Sequence, residues 1–235
     1  MGAAAALSSS QCELCRRWGT QRVCSDCEAR YAPPRARCAR CGLALGQALG
    51  HSLATCGECL RDPPPFDRAV VAVDYGFPWD ALVIEFKFRG RVELAAALAD
   101  LLVRRVAGAA GDAGGAARRV DLVAPVPLAR PRLAERGFNQ AWELARRVAA
   151  RLGLPARASA LSRALDTPHQ AALTRAERQR NLRNAFVPAT QGLAGRRVAL
   201  VDDVMTTGAT AREAAAALLR GGAASVELWL FARTP

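Results

Sequence analysis

Residues Val198–Thr210 read VALVDDVMTTGAT, an apolar run that ends in two adjacent carboxylates and a hydroxyl-rich turn containing one glycine. Val198 to Val201 has the length and β-branched content of a buried strand, whereas Ala211, Ala214, Ala215, Leu218 and Leu219 recur at helical spacing. The turn Thr206 to Thr210 is therefore predicted to join a strand to a helix N-terminus. Unpaired N–H groups at a helix start, the helix dipole and the hydroxyls of Thr206, Thr207 and Thr210 suit a phosphate monoester. Gly208 permits positive φ or close backbone approach at that cradle. Asp202 and Asp203, left bare and partly buried, repel one another, so they are expected to face water, a cation or hydroxyl donors. The two neighbouring hydroxyls of a ribose are such donors, and a ribose 5-phosphate spans both features. A strand end followed by an ordinary Thr helix cap is the competing explanation, but a cap needs one Asp or Thr and not the whole constellation.

Outward from that stretch, strands and helices alternate. Ala69 to Val73 reads as a strand, Asp74 to Pro78 as a turn, and Leu94, Leu98, Leu101, Leu102 and Val106 as the apolar stripe of a helix. Gly108 to Gly115 reads as a loose loop, Asp121 to Ala124 as a strand, about Gly137 to Leu152 as a helix, and Val226 to Phe231 as a strand. This order predicts an α/β fold with a mostly parallel sheet, whose ligands gather at the carboxyl ends of the strands. Pro125 and Asp202 both stand at such ends.

Three further segments carry candidate chemistry. Pro125-Val126-Pro127-Leu128, followed by Arg130, Arg132 and Arg136-Gly137-Phe138-Asn139-Gln140, offers amides and guanidinium groups to a pyrophosphate, with a solvated basic face as the alternative. Arg163 to Phe186 is polar and basic and includes Arg175 and Arg178, which suits a loop closing over an anion or a surface helix. Phe86, Lys87, Phe88, Arg89 and Arg91 interleave aromatic and basic side chains, as a single-stranded nucleic acid platform does. The other reading of that stretch is an element edge with two Phe in the core.

All eight cysteines fall before residue 60 in four C-x-x-C pairs: Cys12 and Cys15, Cys24 and Cys27, Cys38 and Cys41, Cys56 and Cys59. Two pairs complete a tetrahedral Cys₄ zinc site without an open coordination position, so two structural Zn²⁺ ions are expected. Spacing leaves open whether neighbouring or alternate pairs share a metal. Disulfides are the alternative, disfavoured in a reducing compartment. His51, between the third and fourth pairs, is not needed as a ligand. Few large apolar side chains lie between the pairs, so metal must supply the stability of this part.

At 235 residues, 51% hydrophobic and 23% charged, the composition is that of a globular protein with one good core and a small module. No apolar run reaches the roughly eighteen residues of a membrane span, so no membrane insertion and a cytoplasmic location are expected. Two tetrathiolate zinc sites lower the formal charge of +12 to about +8. The 25 basic and 16 acidic residues after position 65 leave +9 there, which attracts phosphate-rich ligands. The expected organisation is a disordered tail at 1–9, a double zinc ribbon at 10–62, a stiff Pro63-Pro64-Pro65 spacer, and an α/β domain over 63–235.

Val198 to Thr210 resembles the phosphoribosyl pyrophosphate (PRPP) signature of type I phosphoribosyltransferases. With the four C-x-x-C pairs, Pro63 to Asp67, Phe86 to Gly90, Pro125 to Pro127, Arg136 to Gln140 and Gln170 to Phe186, the chain resembles the ComF family of competence-associated proteins. That resemblance implies a zinc ribbon followed by a phosphoribosyltransferase-like domain. Asp202 and Asp203 would hold the ribose diol and act in catalysis, and Thr206, Thr207, Gly208, Ala209 and Thr210 would hold the 5-phosphate. Pro125, Val126, Pro127, Arg132, Arg136, Arg175 and Arg178 become candidates for the pyrophosphate and its flexible loop, with Mg²⁺ arriving on PRPP. The family implies a role in DNA uptake and competence or in nucleotide metabolism. A single-stranded DNA adaptor with a vestigial or regulatory PRPP site is the alternative to an active transferase.

Overall fold

The computed structural model describes residues 9–46, 55–111, 120–163 and 185–235. Its first elements are β1 (Ser10–Gln11), β2 (Trp18–Gly19), α1 (Ser25–Tyr31) and α2 (Gly57–Arg61). There follow β3 (Ala69–Asp74), α3 (Trp79–Phe88), α4 (Leu94–Gly111), β4 (Leu122–Pro125), α5 (Arg130–Arg136) and α6 (Gln140–Leu152). The chain continues through β5 (Leu161–Arg163), β6 (Phe186–Pro188), β7 (Arg197–Met205), α7 (Ala209–Arg220) and β8 (Ser225–Arg233). Strands β3, β8, β7 and β4 form, in that order, a sheet in which every pair is parallel. β5 pairs antiparallel with β6, and β1 with β2.

Because the parallel sheet is covered on both faces, its strands read as nearly continuous apolar runs. Val70, Val123, Ala199, Val201, Trp229 and Phe231 pack with α3, α4 and α6. Val71, Leu122, Ala124, Val198, Leu200, Leu228 and Leu230 pack with α7, Leu161 and Phe186. The α7 face is built from Ala211, Ala214, Ala215 and Ala217, each at most 2% exposed, so the helix backbone lies close to the sheet. At the foot of the sheet Asp121 takes the Arg197 guanidinium in a fork, at 2.8 and 3.0 Å, and accepts its N–H at 2.9 Å.

Several elements differ from the sequence expectation. β7 runs on to Met205, so the two carboxylates lie within the strand and not at its last residues. α3 occupies the stretch after the Asp74 to Pro78 turn, and α4 continues through Gly108 to Gly111, where a loop was expected. Isolated glycines lower helix propensity by only about 1 kcal/mol, which tertiary packing overrides. Residues 112–115 of that expected loop lie outside the described residues. The expected helix from Gly137 instead begins at Gln140, after the separate α5, whose RPRLAER sequence lacks a long apolar stripe.

The Pro63-Pro64-Pro65 stretch does not hold the cysteine-rich segment away from the domain. Pro64 is buried and Phe66 is in the core. Cys12, Val23, Cys27 and Ala32 belong to the same apolar cluster as Trp79, Leu82 and Leu98. Trp79 Nε1 donates to the Tyr31 carbonyl at 2.7 Å, and Arg35 and Arg37 pair with Asp74 at 3.1 and 2.6 Å. At Gly42, with φ +68°, a Cβ would collide with Val71 on β3, which fixes glycine at that contact. Among the described residues no helix is long and apolar enough to cross a membrane.

Candidate functional site

β4 ends at Pro125, opposite Val201, so β7 overhangs it and carries Asp202 to Met205 past the edge, paired only with β8. Asp202 is half-buried and Asp203 buried. Asp202 Oδ1 accepts the N–H of Asp203 at 2.9 Å, and Asp203 Oδ1 accepts the N–H of Val204 at 2.7 Å. The other oxygen of Asp203 lies 3.1 Å from Nζ of Lys87, at the end of α3. A facing cation was one of the three surroundings expected for this pair, and that cation is Lys87. Burial, then the Asp203 carboxylate, pushes the Asp202 carboxyl well above the usual carboxylate range; the Asp203 N–H and the Lys87 ammonium oppose that shift.

The turn after β7 has Thr206 and Thr207 exposed and Gly208, Ala209 and Thr210 half-exposed. Gly208 takes φ +80°, the left-handed conformation that glycine adopts at no steric cost, and caps α7. Gly208 has no side chain to cap that helix, and Ala209 N makes a 3.5 Å bond to Thr207 Oγ1, so the N–H groups of Thr210 and Ala211 are the ones left to a ligand anion. Beneath the turn Arg233, 8% exposed at the end of β8, donates to the carbonyls of Met205 and Thr206 and fixes the loop from behind. Arg212 in the first turn of α7 donates to the carbonyls of Asp62 and Pro63, at 2.6 and 3.4 Å. The motif reading found neither arginine, because their partners, carbonyls and for Arg212 also the Asp62 carboxylate, are brought to them only by the fold.

Pro125 and Val126 are buried, and the Val126 N–H bonds the Val201 carbonyl at 2.9 Å, which sets this loop beside the carboxylate strand. Asn139 then serves two elements. Its Oδ1 caps α6 by accepting from Ala141 N and Trp142 N, and its Nδ2 donates to the Val126 carbonyl at 3.1 Å. Arg132 is exposed on α5. Arg136 lies with its guanidinium 4.7 Å from the Phe88 ring centroid. Arg175, Arg178 and most of the Arg163 to Phe186 segment lie outside the described residues, as does His51.

The aromatic-basic stretch does not form a continuous platform. It lies on α3 and in the turn after it, where successive side chains rotate by about 100° and cannot alternate on one face. Phe86 is wholly buried and meets Phe138 at 5.6 Å, Lys87 faces Asp203, and Arg91 pairs with Glu13 and Glu93 at 3.2 and 2.9 Å. Arg89 pairs with Glu85 at 2.8 Å. Of the two Phe only Phe88, 62% exposed, presents a ring to solvent.

Cys12, Cys15, Cys24 and Cys27 form one cluster and Cys38, Cys41, Cys56 and Cys59 another, the sulfurs of each within 4.8 Å of one another. Neighbouring pairs thus share a site, which resolves the pairing that spacing left open. Cys15 to Cys24 and Cys41 to Cys56 sulfur distances are 3.7 Å, far from a disulfide bond and close to the about 3.8 Å set by tetrahedral thiolates on zinc. Backbone N–H groups already point at the sulfurs, Cys24 N at Cys12 Sγ (3.4 Å) and Cys56 N at Cys38 Sγ (3.3 Å), and they favour thiolate. Both clusters could hold a metal ion.

A parallel sheet with paired carboxylates overhanging a glycine-capped helix start defines a protein of the phosphoribosyltransferase fold. The family model described as phosphoribosyl transferase domain matches residues 139–235. With two Cys₄ clusters ahead of that domain, the chain belongs to the ComF family. It is 38% identical over 232 residues to DNA utilization protein YhgH of Escherichia coli K12, covering 95% of this chain and 96% of that one. It is 33% identical over 213 residues to competence protein F of Haemophilus influenzae, covering 90% of each. Among solved structures it is similar to a glutamine PRPP amidotransferase from B. subtilis, with 18% identity, TM-score 0.43, and coverage of 63% of this chain and 30% of that one.

Proposed function

We propose that the chain binds PRPP with Mg²⁺ at the end of β7 and serves in the handling of DNA, either by transferring the phosphoribosyl group or by using PRPP as a regulatory ligand. The observation that carries the reading is the joint placement of Asp202 and Asp203 on the overhang and of the glycine-started helix N-terminus with its threonine hydroxyls after them. A sugar diol and its 5-phosphate need that combination. In transfer, positive charge builds at the anomeric carbon as pyrophosphate leaves, and an ionised Asp202 nearby stabilises it. The loop that follows Val126, braced by Asn139, offers the Leu128 and Ala129 N–H groups to the pyrophosphate, which brings Mg²⁺ with several of its waters. The two clusters hold Zn²⁺, whose chemistry here is structural because four thiolates close the shell. Cysteines clustered for metal without disulfide bonds suit a cytoplasmic protein, and the DNA role follows the names of the relatives.

The domain organisation proposed is a double zinc ribbon over 10–62 packed on a phosphoribosyltransferase-like domain over 63–235. Titration calorimetry of the purified protein with PRPP, with and without Mg²⁺, tests the reading. Saturable one-site binding that requires Mg²⁺ is expected. Absence of binding, together with oligonucleotide affinity that falls steeply with salt, favours a single-stranded DNA adaptor instead.

A further inference from the structure

Lys87 stands apart from every other cation of the chain. Of 33 basic side chains 32 are arginine, so composition gives no reason for lysine at this one position. Its environment does. The ammonium lies 3.1 Å from Asp203 Oδ2, with 19% of the lysine side chain and 8% of the aspartate exposed. By comparison the Arg17 to Asp26 pair has 70% and 71% of its side chains exposed. An ammonium is a compact charge with three donors on one atom, whereas a guanidinium needs room for a planar fork.

We infer that Lys87 is a positioning residue of the sugar-phosphate site, which clamps Asp203 from α3 and leaves Asp202 as the carboxylate that meets the ribose diol. This division of labour rests on the PRPP reading above. Asp203 is engaged through both oxygens, Oδ1 by the Val204 N–H and Oδ2 by Lys87. Asp202 gives one oxygen to the Asp203 N–H and is the more exposed of the two. Two adjacent carboxylates resist joint ionisation, and a fixed ammonium on one of them lowers that resistance for the other. Lys87 thereby acts on the ribose through the aspartates: it sets the geometry of Asp203 and favours the ionised Asp202 that accepts the diol hydroxyls.

The test is calorimetric titration of the full zinc-loaded chain with PRPP and Mg²⁺ across pH 5 to 9, using wild type, Lys87→Met, Lys87→Arg, Asp202→Asn and Asp203→Asn. Near-ultraviolet circular dichroism checks each fold. Loss of the ammonium is expected to weaken PRPP binding by about tenfold or more and to move the acid limb of its pH profile upward by about one unit, each unit being a tenfold effect. Lys87→Arg restores the pH profile in large part because it keeps the charge. Asp202→Asn removes binding by more than about a hundredfold, and Asp203→Asn costs less than about tenfold while moving the acid limb downward. Wild-type binding with an unchanged affinity and pH profile in Lys87→Met overturns the inference and leaves the PRPP reading standing. So does an Asp203→Asn loss as large as that of Asp202→Asn, a comparison that holds even where Lys87→Met does not fold. Wild type that binds no PRPP at any pH overturns the PRPP reading itself, and the inference with it.

Discussion

Asp202 carries opposite consequences for the empty chain and for the loaded one. Burial and the Asp203 carboxylate raise its pKa in the folded state above the usual carboxylate value of about 3.9. A raised folded pKa means that the stabilising contribution is fully present below the unfolded value and is lost as pH climbs through the folded one. Asp202→Asn is therefore expected to match wild type in thermal stability near pH 4 and to exceed it increasingly toward pH 8, while PRPP binding is lost. Thermal unfolding of both proteins across that range, without ligand, measures the first effect. A variant that melts below wild type at pH 8 would show that the carboxylate supports the fold. This aspartate and the Thr206 to Thr210 turn were legible in the sequence because their chemistry is contiguous. Lys87 and Arg233 were not, since each acts on the site from another element. Phe86 to Arg91 left two readings open for a related reason: interleaving along the chain is alternation on a strand, but a helix turns Phe86 to the core and Lys87 to the carboxylates.

Among elements, the Val126 loop and α6 are joined by one side chain. Asn139→Ala is expected to remove the α6 cap, at a cost of about 0.5–2 kcal/mol, and also the tie to the Val126 carbonyl. Asn139→Asp keeps a capping oxygen and loses only the Nδ2 donor. Thermal unfolding should thus rank the variants with Ala lowest, whereas PRPP calorimetry should place both below wild type. Equal PRPP affinity in all three proteins would separate this loop from the pyrophosphate. The strand and helix order of the sheet was readable from periodicity, and β4, α6, β7 and α7 occur near the positions expected. What escaped was α3 and α5. α5 has no buried side chain, so no periodic stripe announces it. The extension of β7 past Val201 escaped as well, because polar residues hide a strand whose remaining bonds are made to β8 alone.

At the scale of the whole molecule, the cysteine clusters and the sheet share one interior. Cys12, Val23 and Cys27 pack in the cluster that contains Trp79, and Tyr31 holds the Trp79 indole N–H. Elemental analysis is expected to find about two zinc ions per chain, each Cys₄ set taking one. Chelation should then do more than melt a tethered ribbon. Trp79 should gain water contact, read as a red shift of tryptophan emission that is diminished in Trp79→Phe, and the melting temperature of the remaining fold should fall. A chelated protein whose emission and melting are unchanged would uncouple the ribbons from the domain. The sheet order adds a consequence for assembly. β8, the last of the described strands in sequence, lies between β3 and β7, so β3 has no sheet partner until it arrives. Most of the chain must therefore be synthesised before the sheet can close, and such distant pairings make folding slow. During that interval the two apolar strands that flank the gap present bare edges to the cell, a state in which chaperone protection would matter more than the stability of the finished protein.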